Sequence, residues 1–104
     1  MFTLIMAAAL AAPNPGSIDA PRKAFASCLK AFESSQMKAK VDAAAYETAV
    51  KAACPSEAAA LSAALISYDV AMGTKRANAT ANAERDVDDY RMTSVDRYKD
   101  ITSH

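Results

Sequence analysis

The residues best equipped for chemistry in this chain are its two cysteines, Cys28 and Cys54, the second set directly against a proline in "KAACPSE". A thiol can act as a nucleophile, a metal ligand, a redox partner or half of a bridge. A catalytic thiol needs a base to form the thiolate, and the one histidine is the terminal His104. A dithiol redox centre usually takes the form Cys-x-x-Cys, which the spacing of 26 rules out. A structural zinc site takes four ligands, more than two cysteines and a terminal histidine provide. The same scarcity excludes twin Cys-x9-Cys hairpins, saposin-like folds and c-type cytochromes. The reading that survives is a disulfide between Cys28 and Cys54.

Two other clusters invite a functional reading. Asp86, Asp88 and Asp89 lie in the charge-dense tract of residues 84–100, "ERDVDDYRMTSVDRYKD". A calcium loop sets acids at alternate positions around a turn glycine, and this tract has no glycine. Arg85 with Asp89, Asp88 with Arg91 and Asp96 with Lys99 stand at helical spacings of four, three and three, so the tract reads as a self-neutralising solvated helix face. No metal or other cofactor is expected. The second cluster is "YDVAMGTKRANA", residues 68–79, where Tyr68, Asp69, Met72 and Arg76 surround the one glycine inside the helical region. Arg76 falls on an apolar stripe, where an arginine lays its stem over apolar surface or meets an anion. A ligand pocket at Tyr68, Asp69, Met72 and Arg76 is the alternative that this cluster offers. The four tyrosines are too irregularly spaced for a nucleic-acid stacking platform. Asn78-Ala-Thr80 matches a glycosylation sequon, a common chance match.

The elements that must position these residues are helical. Two glycines, four prolines and an alanine-rich composition with three Phe, four Tyr and no Trp leave room for one thin, close-packed α core. Residues 1–12, "MFTLIMAAALAA", are apolar but reach only about 18 Å as a helix, short of a bilayer core of about 30 Å. They match the apolar region of a secretory signal, with cleavage expected after Ala11 at the small-x-small pattern of residues 9–11. A breaker-rich linker over 12–20 follows. Phe25, Cys28, Leu29, Phe32 and Gln36 recur at three and four and predict a helix over 21–39, with Pro21 in its first turn and Ser17 or Asp19 as cap. Asp42 caps a second helix over 43–53, and Pro55 opens a third. From there an inward stripe runs through Leu61, Leu65, Tyr68, Met72, Arg76, Ala79, Ala83, Val87, Tyr90, Ser94, Tyr98 and Ile101, with a bend or break expected near Gly73.

In an antiparallel hairpin, residues level with one another have numbers of constant sum. Cys28 and Cys54 set that sum at 82, which turns the chain near residue 41 and brings Phe32 level with Val50 and Leu29 with Ala53. The bridge therefore closes a hydrophobic hairpin, and it fits an oxidising compartment.

The expected whole is all-α: a signal peptide over 1–11, then a single helical domain over 21–104. Within it come a disulfide-closed hairpin (21–54), a packing helix (55–73) and a charged helical extension (74–104). Twelve basic side chains balance twelve acidic ones, giving no overall field for nucleic acid. Paired catalytic carboxylates, an internal histidine and a nucleophile motif are all missing, so a non-catalytic structural or interaction protein, periplasmic or secreted, is the leading reading. The extension is the part expected to need a partner: Val87, Tyr90 and Tyr98 resume an apolar stripe that must fold back on the bundle, form a homo-oligomer or dock on an envelope protein partner. A small-ligand carrier with its pocket near Tyr68, Met72 and Arg76 is the alternative.

Overall fold

The structure, a computed structural model, describes residues 14–103. The expected signal peptide over 1–11 lies outside the described residues. Among the described residues there are four helices: α1 (Gly16–Lys38), α2 (Ala43–Val50), α3 (Pro55–Ala71) and α4 (Arg76–Thr102).

α1 begins five residues before the expected start. Ile18 is buried in the core, and it draws the preceding turn into helical register. Pro21 consequently lies inside the helix, where it costs one backbone hydrogen bond near an end that is already short of them. Neither Ser17 nor Asp19 caps α1; Asn14 accepts from the Gly16 backbone N–H instead. The helix ends in a Schellman motif, with Val41 N–H donating to the Gln36 carbonyl, Lys40 N–H donating to that of Met37, and Lys40 itself left-handed at φ 58°. Asp42 then caps α2 as expected, accepting from the Ala45 N–H at 2.8 Å.

α2 stops at Val50, short of the expected residue 53, because the chain must turn into the bridge. Ala52 and Ala53 donate to the Ala49 and Val50 carbonyls in tight successive turns. Cys54 follows in the left-handed region at φ 56°, and Pro55 occupies the first turn of α3. α2 and α3 meet at a bend of 55°, so together they form one broken helix. Gly73, at φ 102°, terminates α3 in a second Schellman motif, Thr74 N–H donating to Asp69 and Gly73 N–H to Val70. The stripe therefore divides into two helices at Gly73.

The architecture is an up-down-up bundle whose descending helix is broken. α1 runs up one side and α2–α3 returns beside it, tied near the middle of α1 by Cys28–Cys54 with a Cα–Cα distance of 6.1 Å. α4, 27 residues long, then runs parallel to α1, Tyr90 meeting Phe25 and Arg97 meeting Glu33 further along both helices. The closest helix packing is α3 with α4 and α1 with α3, followed by α2 with α4 and α1 with α4. Between α1 and α2 the aromatic contact is Phe32 with Tyr46, ring centroids 5.6 Å apart.

Of the three outcomes expected for the extension, α4 takes the first and folds back on the bundle, so the expected partner surface at Val87, Tyr90 and Tyr98 is covered by the chain itself. Val87 and Tyr98 are buried within the chain, and Tyr90 is half-buried against Phe25, so these three residues close this molecule's own core. The stripe also errs at three places: Met72, Arg76 and Ile101 are exposed, Met72 and Arg76 because they flank the α3–α4 turn and Ile101 because it lies in the last turn of α4. Among the described residues no single helix is long and apolar enough to cross a membrane.

Candidate functional site

Among the described residues the densest polar chemistry lies where α1, α2 and α4 meet. Glu33 is on the buried face of α1, one turn beyond Leu29; Ser94 and Arg97 project from α4 and Tyr46 from α2. Arg97 holds Glu33 with two charge-assisted bonds, Nε to Oε1 at 2.9 Å and Nη2 to Oε2 at 2.5 Å. Ser94 Oγ donates to Glu33 Oε2 at 2.6 Å. Its single hydrogen is thereby used, so the 2.6 Å contact between Tyr46 Oη and Ser94 Oγ has the tyrosine as donor. Tyr46 stacks on Tyr98, with ring centroids 3.9 Å apart, and the Tyr98 hydroxyl donates to the Val41 carbonyl. The chain of donors thus starts at a phenol and ends on a carboxylate.

Electrostatics fix the charge states. Burial pushes the Glu33 carboxyl upwards, but hydrogen bonds from Arg97 and Ser94 and the positive charges of Arg97 and Lys30 outweigh it, leaving it below its ordinary value. Burial raises the Tyr46 phenol, against the Ser94 hydrogen bond and reinforced by the Glu33 charge. Arg97 is raised by its bonds to Glu33. At neutral pH the set is therefore a carboxylate, a guanidinium and two neutral hydroxyls. Tyr46 and Ser94 have no exposed surface, so no external substrate meets them in this conformation.

Arg97 is the one member that reaches outward, its side chain 37% exposed. It lines a groove of about 300 Å³ between α1 and α4, together with Arg22, Lys30, Asp86, Asp89 and Tyr90. Two further hollows, of about 410 and 400 Å³, lie on the other side of α4 beside the broken helix, and both are lined by Asp88 and Arg91. Arg91 is pinned between them: its Nη2 donates to the Ala53 carbonyl at 2.7 Å and its guanidinium lies 5.5 Å from the centre of the Phe25 ring. That leaves the buried Arg91 Nε without a partner.

The residues singled out from the sequence fare unequally. Cys28 and Cys54 are joined. The Glu57 carboxylate stands within 4.8 Å of their sulfurs, but a bridged pair offers no thiolate to a metal. Tyr68 is half-buried against the core and Asp69 is partly buried, whereas Met72 is 60% exposed and Arg76 is exposed. The three hollows described above lie away from this cluster, which occupies the α3–α4 turn. The 84–100 tract is only partly a solvated face: Arg91 and Arg97 turn inward, and Arg85 donates to Asn82 instead of pairing with Asp89.

Glu33 and Arg97 were not legible as a site. Glu33 carried the only available signal, since it falls one position past Phe32, at the edge of the α1 stripe. Its partner lies 64 residues away, at a distance that no helical spacing links. Compared with known proteins, the chain matches no family model, no curated protein and no solved structure.

Proposed function

We propose that this protein is a non-catalytic exported helical module, a rigid bundle that works by structure or interaction in an oxidising compartment such as the periplasm or the extracellular space. The Cys28–Cys54 bridge carries this reading, because it fastens a corner where the chain adopts a left-handed conformation and a small bundle is otherwise thinly held. The polar cluster supports it in a second way. The ionised Glu33 is saturated with donors, and Tyr46 and Ser94 are sealed from solvent, an arrangement that specifies packing and offers no free acid, base or nucleophile. The carrier alternative at Tyr68, Met72 and Arg76 loses support from the exposure of Met72 and Arg76.

The test is intact mass and thiol alkylation of the protein recovered from its native host under denaturing conditions, with and without reductant. The reading expects residues 1–11 to be missing and Cys28 and Cys54 to be alkylated only after reduction. A full-length chain with two freely alkylated thiols would place the protein in a reducing compartment and overturn it.

A further inference from the structure

We propose that the groove between α1 and α4 is a binding site for a short peptide with free termini, its carboxylate held by Lys30 and Arg97 and its ammonium by Asp86 and Asp89. The charges along the groove are sorted by position. α1 and α4 run parallel, and the Glu33–Arg97 pair sets their register 64 residues apart. In that register Arg22 is level with Asp86, and Lys30 is level with Ser94. One end therefore holds Asp86 and Asp89 against Arg22, an excess of one negative charge; the other holds Lys30 and Arg97 above the buried Glu33, an excess of one positive charge. Among the described residues, the ion pairs are Arg97 with Glu33 and Lys99 with Glu47, so Arg22, Lys30, Asp86 and Asp89 make no direct ion pair.

The basic end is built rather than incidental. A guanidinium has five N–H donors, and Glu33 takes two from Arg97, which fixes the plane of the group and leaves the other three for the groove. A buried ion pair is a weak source of stability, since desolvation offsets its attraction. Positioning a guanidinium at a groove wall gives this one a purpose. Between the two ends lie an apolar floor, Leu29 and Tyr90, and the Thr93 hydroxyl, which suits a peptide backbone.

Length selects the ligand. From Asp86 and Asp89 to the level of Lys30 and then Arg97 the helix rise covers roughly 8 to 17 Å, shortest between Asp89 and Lys30. An extended tripeptide spans about 10 Å between its termini. The volume of about 300 Å³ is at the small end of ligand sites, which also favours few and small residues.

The experiment titrates triglycine into the isotopically labelled full chain and follows backbone amide shifts, with N-acetyl-triglycine and triglycine amide as arms that each lack one terminal charge. Saturable shifts confined to the α1 and α4 residues around the groove are expected. Each capped peptide should bind about fivefold more weakly, the scale of one partly exposed ion pair. Lys30→Gln should weaken the discrimination against triglycine amide, with Arg97 still in place, and Asp89→Asn should weaken that against the acetylated peptide. Both positions are exposed, so the variants keep the fold, which an unchanged amide spectrum verifies. Equal binding of free and capped peptides, shifts that map elsewhere, or no saturable shift up to the solubility limit of triglycine would each overturn the proposal.

Discussion

At the scale of single residues, the cluster of Tyr46, Ser94, Glu33 and Arg97 behaves as a chain in which the middle link matters most. Ser94→Ala leaves the Tyr46 hydroxyl without its acceptor and takes one of the two donors from Glu33 Oε2 in a sealed site, a loss of about 1 to 3 kcal/mol. Tyr46→Phe removes the terminal donor and leaves only a serine lone pair unused, so it should cost less, about 0.5 to 1.5 kcal/mol. Urea denaturation of the two variants checks the order, and an equal or reversed ranking would mean that the serine is not the link. Glu33 adds a pH dependence of definite sign. Its carboxyl is held below the ordinary 4.5, so its contribution is complete above that value and is lost as pH falls through the lowered folded-state value. Wild type should therefore lose stability on acidification more steeply than Glu33→Gln, as read from urea midpoints taken from neutral pH downwards. Parallel acid limbs would remove Glu33 from the account.

At the scale of elements, the sequence was legible wherever one local rule acted alone. Asp42 caps α2, Pro55 opens α3 and Gly73 ends it, each because a single residue type satisfies a backbone need there. The cysteine spacing gave the bridge for the same reason. What local pattern could not give was whatever α4 decides at long range: that Tyr98 lies against Tyr46, that Arg91 reaches Ala53, and that Glu33 is buried. Lys40 and Cys54 mark the same limit, since neither is the glycine that a left-handed position favours. Cys54 holds that conformation with a bridge across 26 residues, worth about 3 to 4 kcal/mol by chain entropy. Without the bridge the strain should surface. The pair Cys28→Ser/Cys54→Gly should then be more stable than Cys28→Ser/Cys54→Ser by about 0.5 to 1 kcal/mol, the left-handed penalty less the entropy cost of glycine. The opposite order in thermal melts would mean that the corner relaxes once the bridge is gone and that the bridge itself imposes φ 56°.

For the whole molecule the question is what makes a bundle of 59 × 26 × 18 Å a single cooperative unit. The bridge alone does not, because it ties the long α1 to the broken helix at one point. Three of the four most extensive helix pairings include α4, which packs in turn against α1, α2 and α3. It brings Ala79, Ala83, Val87, Ser94, Val95 and Tyr98 into the interior. Tyr98 fills the space beside Tyr46 and donates to the turn that joins α1 to α2, and burying such a ring is worth about 1.5 to 3 kcal/mol. Isolated helices of this length are marginal in water, and a chain of about 60 residues buries too little surface to compensate for losing such contacts. A chain ending at Gly73 should therefore lose its cooperative thermal transition even with Cys28–Cys54 intact. Far-UV circular dichroism of the oxidised fragment reads this directly. A sharp melt in the fragment would mean that α1 to α3 fold by themselves and that α4 is the appendage its charge-rich sequence suggests; a broad, low-helicity profile would make α4 the strut on which the fold depends.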